Sequence, residues 1–249
     1  MWNNDIANTF AANLAPDNAG RQEEVAREVC DAGQRLRAQL PELTRLVTRD
    51  TIAHVPALFS PETMSQLDEH LSALPGLVTE RVETKEGAWS IDLLDNTYTP
   101  FADTEAQEPF SVLSLATELV EAIASVTGFT SPVVTTRRWV NRYGIGDSIA
   151  PHDDTTGDFQ IMICLTAPHA DCGGELVLAN GVSVVLAAGD LLIMKHADVV
   201  HWTTPILPTA LAHRATATCR YHVDGGRMPR SKVLPHTQQG PRSRVERKS

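Results

Sequence analysis

SPVVTTRRWVNRYGIGDSIAPHDDTTGDFQIMICLT, residues 131–166, is where the chain changes character. Val133–Tyr143, Ser148–His152 and Phe159–Thr166 are β-prone runs, with Gly144, Gly146 and Gly157 between them. Runs of this kind, bounded by turn residues, predict short strands. The pattern continues through Glu175–Ala179, Val182–Leu186, Leu191–Lys195, Val200–Ile206 and Arg214–Val223. Gly173-Gly174, Asn180-Gly181 and Gly189-Asp190 fill the gaps. About eight strands at this spacing, with no helix between them, predict a sandwich, barrel or jelly roll.

Upstream, residues 1–130 read as a helical region packing on that core. Val25, Val29, Ala32, Leu36 and Leu40 recur at helical spacing until Pro41 interrupts. Ser60-Pro61 opens a second helix with Met64, Leu67, Leu71 and Leu74 as its stripe, closed by Pro75-Gly76. A third is expected over Pro109–Thr127, ended by Gly128. The polar stretch Glu80–Asp103 between them predicts short strands at best. The expected organisation is therefore helices over 1–130, a β core over 131–226, and a tail over 227–249.

Charge and composition bound the function. Of 249 residues, 42% are hydrophobic, enough for a packed core. The net charge is −10. Arg227–Ser249 holds seven Lys/Arg and one Glu, a net +6, which leaves −16 on residues 1–226. The tail reads as a solvated extension. A body this acidic argues against a nucleic-acid-binding protein and for a small-molecule substrate. The apolar run Val182–Met194 is cut by Gly189 and Asp190, so no bilayer span is expected. Met1-Trp2-Asn3-Asn4-Asp5 lacks the basic start of a secretion signal. Cys30, Cys164, Cys172 and Cys219 form no CxxC pair. Both features fit a reducing, cytoplasmic setting.

The chemistry starts at His152-Asp-Asp154. Residues two apart on a strand point the same way. His152 and Asp154 can thus offer a nitrogen and an oxygen to one point, and His201 arrives about fifty residues later on another strand. Two histidines and one carboxylate leave the opposite face of a metal open, the facial triad of non-haem Fe(II) oxygenases. An isolated HxD pair is equally two polar residues in a turn, so the rest of the constellation matters. Arg214 and Arg220 lie on the last long run, six residues apart and on one face. There a guanidinium is the natural partner of a buried carboxylate; the competing reading is surface charge on an edge strand. His196, His213 and His169 are rivals for the distal ligand, and His169, Cys172 and His196 fit no zinc spacing. Trp202 reads as packing.

Together these features resemble the Fe(II)/2-oxoglutarate-dependent dioxygenases, whose pattern is HxD, a distal His, then Arg. The resemblance covers roughly residues 131–224. Gly173-Gly174-Glu175-Leu176 and Gly189-Asp190-Leu191-Leu192 resemble strand-opening turns of the prolyl-hydroxylase-like branch. Asn141-x-Tyr143, His152-x-Asp154 and Arg214-x5-Arg220 resemble AlkB-type oxidative demethylases. The resemblance implies a double-stranded β-helix, with Fe(II) on His152, Asp154 and His201 and with 2-oxoglutarate and O2 as cosubstrates. Arg214 would bind the distal carboxylate with help from the Tyr143 hydroxyl, while Asn141 and Arg220 would lie near the iron-chelating carboxylate. Arg137 and Trp139, further along the Val133–Tyr143 wall, are candidates for substrate contact, or else rim and core. Two departures stand out. Cys164 replaces a tyrosine that often touches 2-oxoglutarate, and the AlkB-type lid has no counterpart. Asp154 occupies the position that is a small residue in related halogenases, which implies oxygen insertion or desaturation, not chlorination. The expected activity is hydroxylation of an amino acid or natural-product intermediate, releasing succinate and CO2. The alternatives are nucleic-acid demethylation and a non-catalytic cupin-like binding module.

Overall fold

The computed structural model describes residues 4–75, 77–95, 109–114, 116–128, 133–154, 157–195 and 199–223. His196, the end of the 80–103 stretch and the basic tail lie outside them.

Eleven strands form two sheets among these residues. The larger has the order β1-β9-β6-β11-β4-β3-β2. Its strands are β1 (Ile52–Val55), β2 (Val78–Glu83), β3 (Ala88–Asp95), β4 (Val133–Tyr143), β6 (Phe159–Thr166), β9 (Leu191–Lys195) and β11 (Arg214–Val223). The smaller, β5-β10-β7-β8, comprises β5 (Ile149–His152), β7 (Leu176–Leu178), β8 (Ser183–Val184) and β10 (His201–Thr203). All pairings are antiparallel. This is the jelly-roll architecture expected from residues 131–226, enlarged by three strands from earlier in the chain.

Alternation along the central strands makes the layering. On β6, Phe159, Ile161, Ile163 and Leu165 join the cluster shared with the helices. Met162 and Cys164 face the second sheet. On β11, Ala215, Ala217, Cys219 and Tyr221 face the helices. The intervening Arg214, Thr216, Thr218 and Arg220 therefore point between the sheets. Each face of such a strand is covered, so its polar residues are committed to the interior.

The covering layer is helical. It comprises α1 (Asn4–Leu14), α2 (Ala19–Asp50), α3 (Pro61–Ser72), α4 (Pro109–Ser114) and α5 (Thr117–Thr127). α2 packs on α1, α5 and β1, and α3 on β6. Ser60 caps α3, its hydroxyl accepting from the Thr63 N–H at 3.1 Å, with Pro61 at the first turn.

Three expectations are corrected. α2 does not stop at Pro41 but continues to Asp50. A proline inside a helix costs about 3 kcal/mol. Beyond it, Leu43 and Val47 extend the buried stripe of Val25, Val29, Ala32 and Leu36, and burying each returns about 2 kcal/mol. The single helix expected over Pro109–Thr127 is two, α4 and α5. The polar stretch after Glu80 contains a true hairpin, β2–β3, with β3 paired to β4. β2 is an edge strand whose residues are nearly all exposed, so it carries no hydrophobic alternation to read.

The turn before β9 locks the layers together. Gly189 has φ +93°, and a Cβ there would lie 2.0 Å from the Phe59 carbonyl oxygen. Phe59 N–H donates to Gly189 O at 3.0 Å. The next residue, Asp190, accepts from Ala57 N–H at 2.8 Å and Ala187 N–H at 2.9 Å and meets His54 Nε2 at 2.7 Å. Gly189→Ala therefore introduces left-handed strain plus a backbone clash. It is expected to destabilise the protein by about 3 kcal/mol, seen as a lower urea midpoint with an unchanged slope.

Candidate metal centre

β5 and β10 are neighbours in the smaller sheet, and their register sets His201 directly opposite His152. The two rings lie 4.4 Å apart, centroid to centroid. Asp154 follows two residues after His152 and turns back towards the pair. One ligand atom from each of the three lies within 4.8 Å of the others. His201 Nε2 is 3.7 Å from Asp154 Oδ2. Two donors on adjacent corners of one ion, each about 2.1 Å from it, are about 3 Å apart. The three ligand atoms therefore have to close in on one another to share an ion.

Both histidines are oriented by carbonyls two residues back in the chain. His152 Nδ1 faces the Ala150 carbonyl at 2.8 Å, and His201 Nδ1 faces the Val199 carbonyl at 2.9 Å. A carbonyl oxygen can only accept, so Nδ1 carries the proton and Nε2 keeps a lone pair. Burial lowers the His201 pKa, against the opposing pull of the Val199 carbonyl. The imidazole is thus held neutral, as a metal ligand must be. By linkage, stability falls as pH drops below the ordinary imidazole value of about 6.5, because the unfolded chain takes up the proton more readily.

Asp154 is held ionised. Burial pushes its carboxyl pKa up, but Arg220, His201 and His152 outweigh burial and the net shift is downward. Arg220 Nη2 lies 2.5 Å from Asp154 Oδ1. The same guanidinium donates to Gln160 Oε1 from Nη2 at 3.1 Å and from Nε at 3.3 Å, and it lies over the Trp139 ring at 5.1 Å. Arg220 is thus engaged with a carboxylate of the chain itself.

A cavity of about 50 Å³ lies between the sheets, lined by the triad. Asn141, Tyr143, Thr203, Arg214 and Thr218 also line it. Arg214, opposite Tyr143 in the β4–β11 ladder, is 2% exposed, and its guanidinium lies 4.9 Å over the Tyr143 ring. Burial raises the Tyr143 pKa, so the phenol stays protonated. Arg214 Nε, Thr216 Oγ1 and Thr218 Oγ1 are buried with no hydrogen-bond partner in the protein. Cys164 is fully buried and its thiol is pushed up to about 12 by burial, so it is an inert neighbour.

His152, Asp154, His201, Asn141, Tyr143, Arg214 and Arg220 all line this one cavity, and Trp139 forms part of its wall. Arg137 does not line it. It lies 5.3 Å from the Trp139 ring, opposite Arg220 in the ladder. His213 sits outside, half exposed, with Nε2 3.4 Å from Asp68. His169 is exposed in a loop. Trp202 occupies the other face of β10 from His201. The reading from sequence overlooked Gln160, whose signal was a lone amide inside the otherwise apolar run of β6, and the lining residues Ile149, Thr203 and Thr218.

The sequence matches no family model and no curated protein. Solved structures do match it. One is a Burkholderia pseudomallei oxidoreductase of the 2OG-Fe(II) oxygenase family, at TM-score 0.58 and 15% identity, covering 74% of this chain and 90% of that one. A second is a Trichoplax adhaerens prolyl hydroxylase in complex with a hypoxia inducible factor peptide fragment, at TM-score 0.56 and 16% identity, covering 77% and 92%. The fold is that of the 2OG-Fe(II) oxygenases. A third match is the epimerase SnoN in complex with Fe3+, alpha ketoglutarate and nogalamycin RO, at TM-score 0.52 and 17% identity, covering 75% and 84%.

The Arg220–Asp154 pair is open to a direct test. Arg220→Leu strands a buried carboxylate and is expected to cost about 3 kcal/mol of stability. Adding Asp154→Asn should recover part of that loss, so the double variant is less destabilised than the sum of the two singles. Urea titration of the metal-free protein reads all four corners of the cycle.

Proposed function

We propose that this protein is an Fe(II)- and 2-oxoglutarate-dependent oxygenase that hydroxylates a C–H bond of a small molecule, an amino acid or natural-product intermediate, releasing succinate and CO2. The observation that carries this reading is the convergence of His152, Asp154 and His201 on a cavity that a buried Arg214 also lines. A buried cation with an unsatisfied Nε calls for an anionic partner. A water needs roughly 10–15 Å³ on the same measure, so the cavity holds about four, close to the bulk of a small dicarboxylate.

In this reading the triad holds iron. Arg214, with the Tyr143 hydroxyl, takes the distal carboxylate of 2-oxoglutarate, and Asn141 faces its chelating end. When bound, iron and 2-oxoglutarate together supply O2 activation and the oxidising equivalent for C–H cleavage. The chain's own contribution is placement. Two main-chain carbonyls fix the imidazole tautomers, Arg220 and Gln160 aim the Asp154 carboxylate, and the two sheets keep bulk water away.

The matched structures support this class, and they include a hydroxylase and an epimerase, so hydroxylation belongs to the proposal; the retained Asp154 argues only against chlorination. The net −16 on residues 1–226 favours a small molecule over nucleic acid. Among the described residues no helix is long and apolar enough to cross a membrane.

Substrate-uncoupled succinate release from 2-oxoglutarate under Fe(II) and O2 tests the assignment. His152→Ala, Asp154→Ala and His201→Ala are each expected to abolish it while leaving the circular dichroism unchanged; persistent activity in His201→Ala removes that ligand assignment. Arg214→Ala should raise the 2-oxoglutarate KM at least tenfold, and Arg214→Lys should recover only part, since lysine keeps the charge without the planar fork. A KM unchanged in Arg214→Ala moves the anchor elsewhere.

A further inference from the structure

A second, larger cavity of about 470 Å³ lies against the outer side of the metal triad. Thr84, Lys85, Glu86 and Trp89 of the β2–β3 hairpin form one wall, and Ile149, Ala150, Pro151 and His152 form the other. Ile149 and His152 also line the inner cavity, so the two spaces share a wall that includes one triad residue. The outer volume falls in the range of small-molecule sites, about 300–1,000 Å³.

The hairpin wall is built, not draped. Arg81 on β2 makes a bidentate pair with Asp147, Nη1–Oδ2 at 2.6 Å and Nη2–Oδ1 at 2.5 Å. Asp147 also accepts from Gly144 N–H at 2.9 Å, and Ser148 N–H donates to Ala88 O at 2.9 Å. Gly87 approaches Ser148 so closely that a Cβ there would sit 2.6 Å from the Ser148 carbonyl oxygen. Within the turn, Thr84 N–H donates to Gly87 O at 2.8 Å. These contacts hold Trp89 facing β5 across an open space.

Chemistry then selects the occupant. The walls are an indole, an isoleucine, an alanine and a proline ring. Among the described lining residues the charged ones are Lys85 and Glu86, both exposed and of opposite sign, so they give the mouth no net charge with which to select an ion. We propose that this groove binds the substrate, that the substrate is an uncharged molecule with a flat, largely apolar body, and that Trp89 is the platform it stacks on. The proposal rests on the oxygenase reading and narrows its substrate class away from free amino acids.

The test uses 2-naphthol as probe on protein loaded with 2-oxoglutarate and either Mn(II) or Zn(II). Naphthol should bind, and its proton T1 should shorten with Mn(II) but not with Zn(II). Trp89→Ala should weaken naphthol binding at least tenfold with Mn(II) affinity unchanged, whereas Trp89→Phe, which keeps a flat ring, should stay within about threefold. Equal relaxation with the two metals, a Trp89→Ala affinity within twofold, or a Trp89→Phe loss as large as that of Ala overturns the proposal. So does tighter binding of either free phenylalanine or the peptide Ala-Pro-Gly-Pro-Ala than of naphthol. If Mn(II) itself fails to bind, by its electron paramagnetic resonance signal, while naphthol binding still depends on Trp89, the metal reading falls and the groove's ligand class stands.

Discussion

Two guanidiniums are buried on one face of β11, and much of the site follows from what each requires. A buried cation without a partner is far costlier than the strand that carries it can tolerate. Arg220 is satisfied within the chain, by the Asp154 carboxylate and the Gln160 amide oxygen. That pairing takes one carboxylate oxygen and leaves the other directed towards His201. Arg214, six residues away on the same face, keeps an unsatisfied Nε. One strand thus carries a completed ion pair at one end and an incomplete one at the other.

The helices matter to this chemistry through the same strand. Ala215, Ala217, Cys219 and Tyr221 are sealed against the helical layer, and Tyr221 Oη donates to Ser114 O at 2.7 Å. With that face committed, the register of Arg214, Thr216, Thr218 and Arg220 cannot slip by one residue without exposing the core. On the adjacent strand Arg142 takes the opposite face, pairing with Asp68 of α3 at 2.6 Å and with Asp92 of β3 at 2.5 Å. The helical layer, the hairpin and the larger sheet are therefore tied by charge as well as by apolar burial.

What could be read from sequence was what repeats with a period. β4, β6, β9 and β11 were legible to their end residues because glycine turns bound them and their runs are β-rich. The HxD pair and the distal histidine were legible as a motif, although the strand ends at His152 and Asp154 reaches the pair from beyond it. β2 was not, since an exposed edge strand such as VTERVE has no apolar alternation, and with it went Trp89 and the outer wall of the site. Pro41 misled for a complementary reason: a local breaker was overruled by burial on both sides of it. The role of Arg220 illustrates a further limit. Spacing placed it on the right face, but only the fold shows that a carboxylate of the chain itself reaches its guanidinium.

The orientation of the two histidines has a consequence for how such a protein diverges. Each imidazole is steered by a carbonyl two residues back in the chain, and the pair is aligned by one rung of a ladder. Main-chain groups do this work, and they are the same whatever side chains the neighbouring positions carry. Little of the surrounding sequence is needed to keep the ligands aimed, so substitution can proceed almost everywhere else without misdirecting them. A centre aimed by main-chain groups leaves the side chains of the walls around it free to vary.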